Sequence, residues 1–432
     1  MLRFAPSPTG DMHIETLRIA LFNAIISIQR DEPLIVRIED GDQENNIEGK
    51  DKELIGLLSL FNIEYRDVIH QSNHLKYHRT MALQLLHDKR AFSCFCTPAE
   101  LDAKREVAKK NSEAYHYDDT CTYLRAEETI DNMNPFTIRL RRPEKEITVV
   151  DKVQGETTFS TFDVDSFIIM SQNKYPTHNF ASAVDDMISD ISLVIRSADY
   201  IDDTPRQIAI RNALGYDKDV QYAHLPIMLN SEGKKIEEQD NTSNVKWLLE
   251  EGYLPEAISN YLILIGNKTP TEVFTLKEAV DWFKLESISK SPAHFDIEKL
   301  RWINREHLKR LDAKELSRYV GFADDDIGAL AKIYLEEVGT LKELRSKIEP
   351  IFAPKEIPEV YEESVDTLRC AIKEAPYFDE YGDFEKHIKN VSGLKDTLYL
   401  KSLYLVLTGT QDGPEIANIY KHLKNYLAEV VK

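Results

Sequence analysis

Residues Leu2 to Asn23, LRFAPSPTGDMHIETLRIALFN, decide how the chain is read. The apolar run Leu2-Arg3-Phe4-Ala5 predicts a short buried strand, and the turn-forming cluster Pro6 to Gly10 (PSPTG) ends it. From Ile14 the apolar residues Leu17, Ile19, Ala20, Leu21 and Ile25 recur at helical spacing, so the strand feeds a helix. Strand, tight loop and helix start together present backbone N–H groups and a positive dipole end to an anion. His13 stands where the helix begins, placed to donate to a phosphate. A plain βα turn with a surface histidine would look the same over these residues alone.

The next apolar, β-branched run decides between the two. Leu34 to Ile38 predicts a second strand that ends in Arg37-Ile38-Glu39-Asp40. Open parallel sheets bind ligands beyond the carboxyl ends of their strands. Arg3 and Glu39 are therefore expected to face one pocket. A guanidinium there pairs with a carboxylate and a carboxylate pairs with an ammonium, which suits a zwitterionic amino acid.

RFAPSPTG, the HIET after it and RIED resemble the opening of the class I glutamyl-tRNA synthetases. Further stretches resemble that family in the same order: Tyr175 to Ala181, Ala223 to Leu229, Gly252 to Ala257, and Ser291 to Asn304. The likeness covers roughly residues 1 to 310. It implies a ligase that joins glutamate to ATP, releases pyrophosphate and passes the glutamyl group to tRNA. The amino acid is then expected at Arg3, Ala5, Ser7, Glu39, His178 and Arg196. The nucleotide, with Mg2+, is expected along Pro8, Thr9, Gly10, His13, Glu15, Lys235 and Glu238. The implied fold is an α/β Rossmann-type catalytic domain (1–75 and 185–230) with an inserted connective domain (76–184). A helical stem-contact region (231–310) and an all-α anticodon-binding region (311–432) follow. The family default is a monomer.

Departures from the family pattern gather on the nucleotide side. Glu15 takes a glycine place, and Gly41 stands where threonine is usual. Ser197-Ala198-Asp199-Tyr200 replaces a more acidic run, and in the amino-acid pocket His178 replaces a tyrosine. A Lys-x-Ser-Lys-Arg loop is expected after AHLPIML, but after Lys235 the chain reads Ile236-Glu237-Glu238-Gln239. A carboxylate ~4 Å from a phosphate near a surface is repelled by roughly 4 kcal/mol. The expectation is weakened ATP binding. Two functional readings follow: a glutamate–tRNA ligase, or a synthetase-like relative with weak or no ligase activity that binds tRNA or glutamate.

Cys94, Cys96 and Cys121 are three of the four cysteines in the chain. Two thiolates two residues apart, with a third about 25 residues on, suit a tetrahedral metal. Cys-x-Cys followed by Tyr-x-x-x-Cys resembles the zinc module of some synthetases. Tyr117 is the expected fourth ligand and His116 the other candidate; a metal-free structural cluster is the alternative to zinc.

With 432 residues, 30% charged and 42% hydrophobic, the composition is that of a globular protein of two to four domains. No apolar run approaches the ~18 to 20 residues of a membrane span. No signal-peptide pattern is present, and sparse cysteines suit a reducing cytoplasm. A net charge of −20 argues against indiscriminate nucleic-acid binding, so tRNA contact is expected from local basic patches.

Overall fold

The computed structural model describes residues 1–41, 44–236 and 240–432. These fall into two compact units, Met1–Val245 with Leu262–Phe295, and Lys246–Tyr261 with Asp296–Lys432.

The first unit opens as the periodicity predicts. Strand β1 (Leu2–Phe4) is fully buried, and the proline-rich loop leads into helix α1 (Ile14–Arg30). His13 is the extended N-cap residue, and its carbonyl accepts the first helical hydrogen bond from the Leu17 N–H. Asp31 ends the helix in the left-handed conformation. Then come β2 (Leu34–Ile38), α2 (Lys50–Leu60), β3 (Asp67–His70), α3 (Leu75–His87), β4 (Ala91–Cys94), α4 (Pro98–Lys110) and α5 (Ala126–Ile130). Next are β5 (Thr137–Leu140), β6 (Ile147–Asp151), β7 (Gly155–Phe159), α6 (Thr161–Val164), β8 (Ile168–Met170) and α7 (His178–Ile188). Strand β9 (Leu193–Ser197), α8 (Thr204–Ala213) and β10 (Gln221–Leu225) complete the part that builds the site. Pro205 lies in the first turn of α8, where its missing N–H costs nothing.

Seven strands form one sheet in the order β3-β2-β1-β9-β10-β6-β7, parallel except for the antiparallel pair β6 and β7. The chain moves outward from β1 through β2 to β3. It then returns to the other side of β1 and moves outward again through β9 and β10. The carboxyl ends of β1 and β9 thus flank a topological switch point, where sheets of this kind open a ligand crevice.

The segment expected as an insertion, 76–184, is divided. β4, β5 and β8 form a separate antiparallel sheet, whereas β6 and β7 extend the main one. The residues Ile147–Asp151 alternate buried and exposed, as an outer strand of a sheet does, and Asp151 pairs in register with Tyr222 of β10. A single core cluster joins Ile35, Val194 and Tyr222 of the main sheet to Ala82, Leu140, Ile169 and Phe180 of that segment.

The second unit is built of helices. They lie in Lys246–Tyr261 and then run from Ile297–Arg310 to the short closing helix Leu427–Val430, with capping boxes that start Ala313–Tyr319 and Leu341–Phe352. Its boundaries differ from the expected 231 and 311. Residues 262–295 belong to the first unit, where the Arg18 guanidinium donates to the carbonyls of Leu262 and Ile265. Among the described residues no helix is long and apolar enough to cross a membrane.

Candidate active site

A cavity of about 390 Å³ opens at the switch point. It is lined by Arg3, Ala5, Ser7, Thr9, Gly10 and His13 from the first strand and loop, with Glu39, His178 and Arg196 from elsewhere. All of these are sequence-predicted. Pro8 is not among the lining residues: it is buried, and its carbonyl accepts from the Ile47 N–H.

Glu15 also faces elsewhere. Its Oε1 accepts from the Met228 N–H at 2.5 Å, so the carboxylate caps the backbone after β10 rather than filling the cavity. The Lys235 ammonium is paired with the Asp199 carboxylate. Glu237, Glu238 and Gln239 lie outside the described residues. His13 is a cavity residue whose Nε2 lies 2.6 Å from the Ser243 hydroxyl.

Two buried charge arrangements support the cavity. In the first, Asp186 on α7 is fully buried beside two arginines. Its Oδ1 accepts from Arg37 Nη1 at 2.5 Å and from Arg3 Nε at 3.3 Å. Arg37 Nη2 donates to Glu39 Oε1 at 3.2 Å, and the Ser182 hydroxyl donates to the same oxygen at 3.1 Å. His178 Nε2 lies 3.2 Å from Glu39 Oε2. Burial acts to raise the Glu39 pKa, but the His178 hydrogen bond and the charges of His178, Arg37 and Arg3 bring it down to about 2. Burial also acts to raise the Asp186 pKa, and Arg37 and Arg3 lower it.

The second arrangement surrounds Arg196, only 8% exposed. Its three nitrogens donate to His224 Nε2 at 3.0 Å, Gln207 Oε1 at 3.1 Å and Thr204 Oγ1 at 2.8 Å. The Tyr200 ring lies beneath the guanidinium, with the Arg196 Cζ 5.9 Å from its centroid. Burial, then the charge of Arg3, lower the Arg196 pKa to about 10, so it remains a cation at neutral pH.

Sequence reading does not anticipate Asp186, Ser182, Gln207, Thr204 or His224 as part of this site. A signal exists for some: Asp185-Asp186 is an acidic pair inside an apolar helix, and a carboxylate buried there needs a cation.

The Glu39–His178 pair has a pH consequence. Glu39 contributes stability that is fully present above its free value of about 4.3 and is lost as the pH falls towards about 2. The His178 pKa is raised, chiefly by its hydrogen bond to Glu39. Its contribution is present below the free value of about 6.5 and is lost as the pH rises through the raised value. Thermal unfolding across pH should therefore plateau between those free values, and His178→Ala should flatten the flank above ~6.5. Identical profiles for parent and variant would contradict the pairing.

Away from the cavity, Cys94, Cys96 and Cys121 converge, with their Sγ atoms within 4.8 Å of one another. Cys96 and Cys121 Sγ are 3.6 Å apart, and the Tyr117 hydroxyl lies 3.4 and 3.5 Å from Cys94 and Cys96. His116 is exposed and packs edge-on against the Phe162 ring instead. Burial acts to raise the Cys94 thiol, but hydrogen bonds with Tyr117 and Arg139 bring it down to about 7.

Residues 1–302 match the family described as tRNA synthetases class I (E and Q), catalytic domain. The chain belongs to this family. Its relatives within the class I E and Q synthetases include the glutamate–tRNA ligase 2 of Sulfurimonas denitrificans, 60% identical with both chains covered in full. The glutamate–tRNA ligase 1 of a Nitratiruptor species is 50% identical, again over the whole of both chains. Among solved structures, a glutamate tRNA ligase from Elizabethkingia meningosepticum, described in complex with its amino acid, aligns with a TM-score of 0.83 at 23% identity. That alignment covers 100% of this chain and 99% of the other, and shows the class I synthetase fold.

Proposed function

We propose that the protein is a glutamate–tRNA ligase whose switch-point cavity binds and activates glutamate. The full-length likeness to relatives named as such ligases supports this activity over a relative that binds without ligating. The observation that carries the site is the charge pattern of the cavity. It offers two buried guanidiniums, Arg3 and Arg196, and one ionised carboxylate, Glu39. Glutamate carries two carboxylates and one ammonium in the same ratio.

In this reading Arg3 and Arg196 receive the carboxylates and Glu39, with His178 at the rim, receives the amino group. Ala5 and Ser7 border the amino acid. ATP, with Mg2+ on its phosphates, lies along Thr9, Gly10 and His13. The α-carboxylate attacks the α-phosphorus of ATP, the bond to the β-phosphate oxygen breaks, and pyrophosphate leaves. A ribose hydroxyl at the tRNA terminus then attacks the activated carbonyl and AMP departs. Lys235 serves the phosphates after leaving Asp199. The helical second unit reads the tRNA, and the working form is a monomer. Purified protein with labelled glutamate, ATP and tRNA should yield labelled tRNA; tRNA that binds but stays unlabelled would favour the non-ligating alternative.

The same reading gives the cysteine cluster one zinc ion, held by Cys94, Cys96 and Cys121 with Tyr117 completing the set. The Cys96–Cys121 separation of 3.6 Å is close to the ~3.8 Å edge of a tetrahedron with Zn–S bonds of about 2.3 Å. The ion would cross-link β4 to the loop before α5. Elemental analysis should find one zinc per chain in protein prepared without chelators. Metal-free protein with reduced thiols would contradict it.

A further inference from the structure

Arg3 and Arg196 are held in opposite ways. Arg3 leans on a carboxylate, Asp186, whereas all three acceptors around Arg196 are uncharged groups. We propose that Asp151 and His224 form a positioning dyad that aims Arg196 at the substrate while leaving its charge for the substrate's carboxylate. This rests on the reading of Arg196 given above.

The proton on His224 has a single possible place. Arg196 Nε–H can only donate, so His224 Nε2, 3.0 Å away, must be a bare lone pair. The ring proton then sits on Nδ1, which lies 2.6 Å from Asp151 Oδ2. An ionised carboxylate accepts and cannot donate, so Asp151 selects this tautomer. Asp151 is itself fixed: Oδ1 accepts from the N–H groups of Val153 and Gln154, each at 2.8 Å, and Oδ2 from the His224 N–H at 3.0 Å. The Thr204 hydroxyl, 3.1 Å from His224 Nε2, closes the ring of contacts around the guanidinium.

The sheet supplies the rigidity. Arg196 on β9 is the register partner of His224 on β10, and Asp151 ends the next strand, β6. His224 is fully buried and Asp151 nearly so. A carboxylate directly on Arg196 would also hold it, but it would compete with the ligand for the guanidinium; at Arg3 that competition is eased because Asp186 is shared with Arg37. A neutral histidine with a carboxylate one ring further away fixes the direction and spares the charge.

The test uses glutamate-dependent pyrophosphate exchange by the 432-residue chain with tRNA present. His224→Leu should raise the KM for glutamate tenfold or more, with kcat reduced less than threefold and the KM for ATP unmoved. His224→Gln, whose amide oxygen can accept from Arg196, should recover most of the loss. Asp151→Asn keeps the shape of the side chain but can donate to Nδ1, which drives the proton to Nε2 against Arg196. It should therefore match His224→Leu in the parent, yet add little in the His224→Gln background, where no tautomer needs selecting. That dependence on background separates the dyad from a strand tie, which would lower stability without it, and it decides the matter even if His224→Leu does not fold. Arg196→Ala is run alongside. If it leaves the glutamate KM unchanged, the reading of Arg196 fails and the dyad with it. If it raises KM while Asp151→Asn has no effect in the parent, or an equal effect in both backgrounds, the dyad alone is overturned.

Discussion

Arg196→Ala is expected to weaken glutamate binding by ~2–5 kcal/mol, at least about 30-fold in the dissociation constant. The guanidinium is buried, cationic and bonded only to uncharged acceptors, so a bound carboxylate would be its first full countercharge. Removing it would leave that carboxylate desolvated and unpaired. The effect on stability should be much smaller. Burying a cation without a carboxylate is costly, and relief of that cost offsets the acceptors left unsatisfied. Calorimetric titration with glutamate, paired with urea unfolding, reads both. Unchanged affinity would remove Arg196 from the amino-acid site.

Asp186 predicts the reverse ranking. It is the buried carboxylate between Arg3 and Arg37, and Asp186→Ala strands two buried guanidiniums with Glu39 as the nearest anion. Breaking one partner of a buried pair costs about 3–5 kcal/mol, so the first unit should unfold at clearly lower urea. Because Arg3 also loses its anchor, glutamate affinity should fall in whatever folded protein remains. An unfolding midpoint equal to the parent's would show that the two arginines are held by something else.

These two residues illustrate what the sequence makes legible. Strand β1, the proline-rich loop, α1 and β2 follow from local spacing, and Arg3 and Glu39 follow from the rule that parallel strands bind at their carboxyl ends. The cysteine cluster is legible because Cys94 and Cys96 flank a single residue and Cys121 follows close by. Asp186 is different: its partners are 149 and 183 residues away, and no local pattern announces them. The Asp151–His224 contact spans 73 residues and joins two strands that the chain forms far apart. It is hidden further because Ile147–Phe159 reads as part of an insertion, whereas backbone pairing with β10 draws it into the main sheet. Glu15 shows a different limit. The sequence places it at the helix start, but only the fold turns its carboxylate to the Met228 N–H and away from the cavity.

Exchange of labelled pyrophosphate into ATP, with tRNA present and glutamate, glutamine or aspartate supplied in turn, tests most directly whether the cavity between β1 and β9 activates glutamate. Exchange with glutamate is expected well above that with the other two, and sharply reduced at subsaturating glutamate in Arg196→Ala. Exchange that is absent with glutamate, while tRNA still binds, would contradict glutamate activation there.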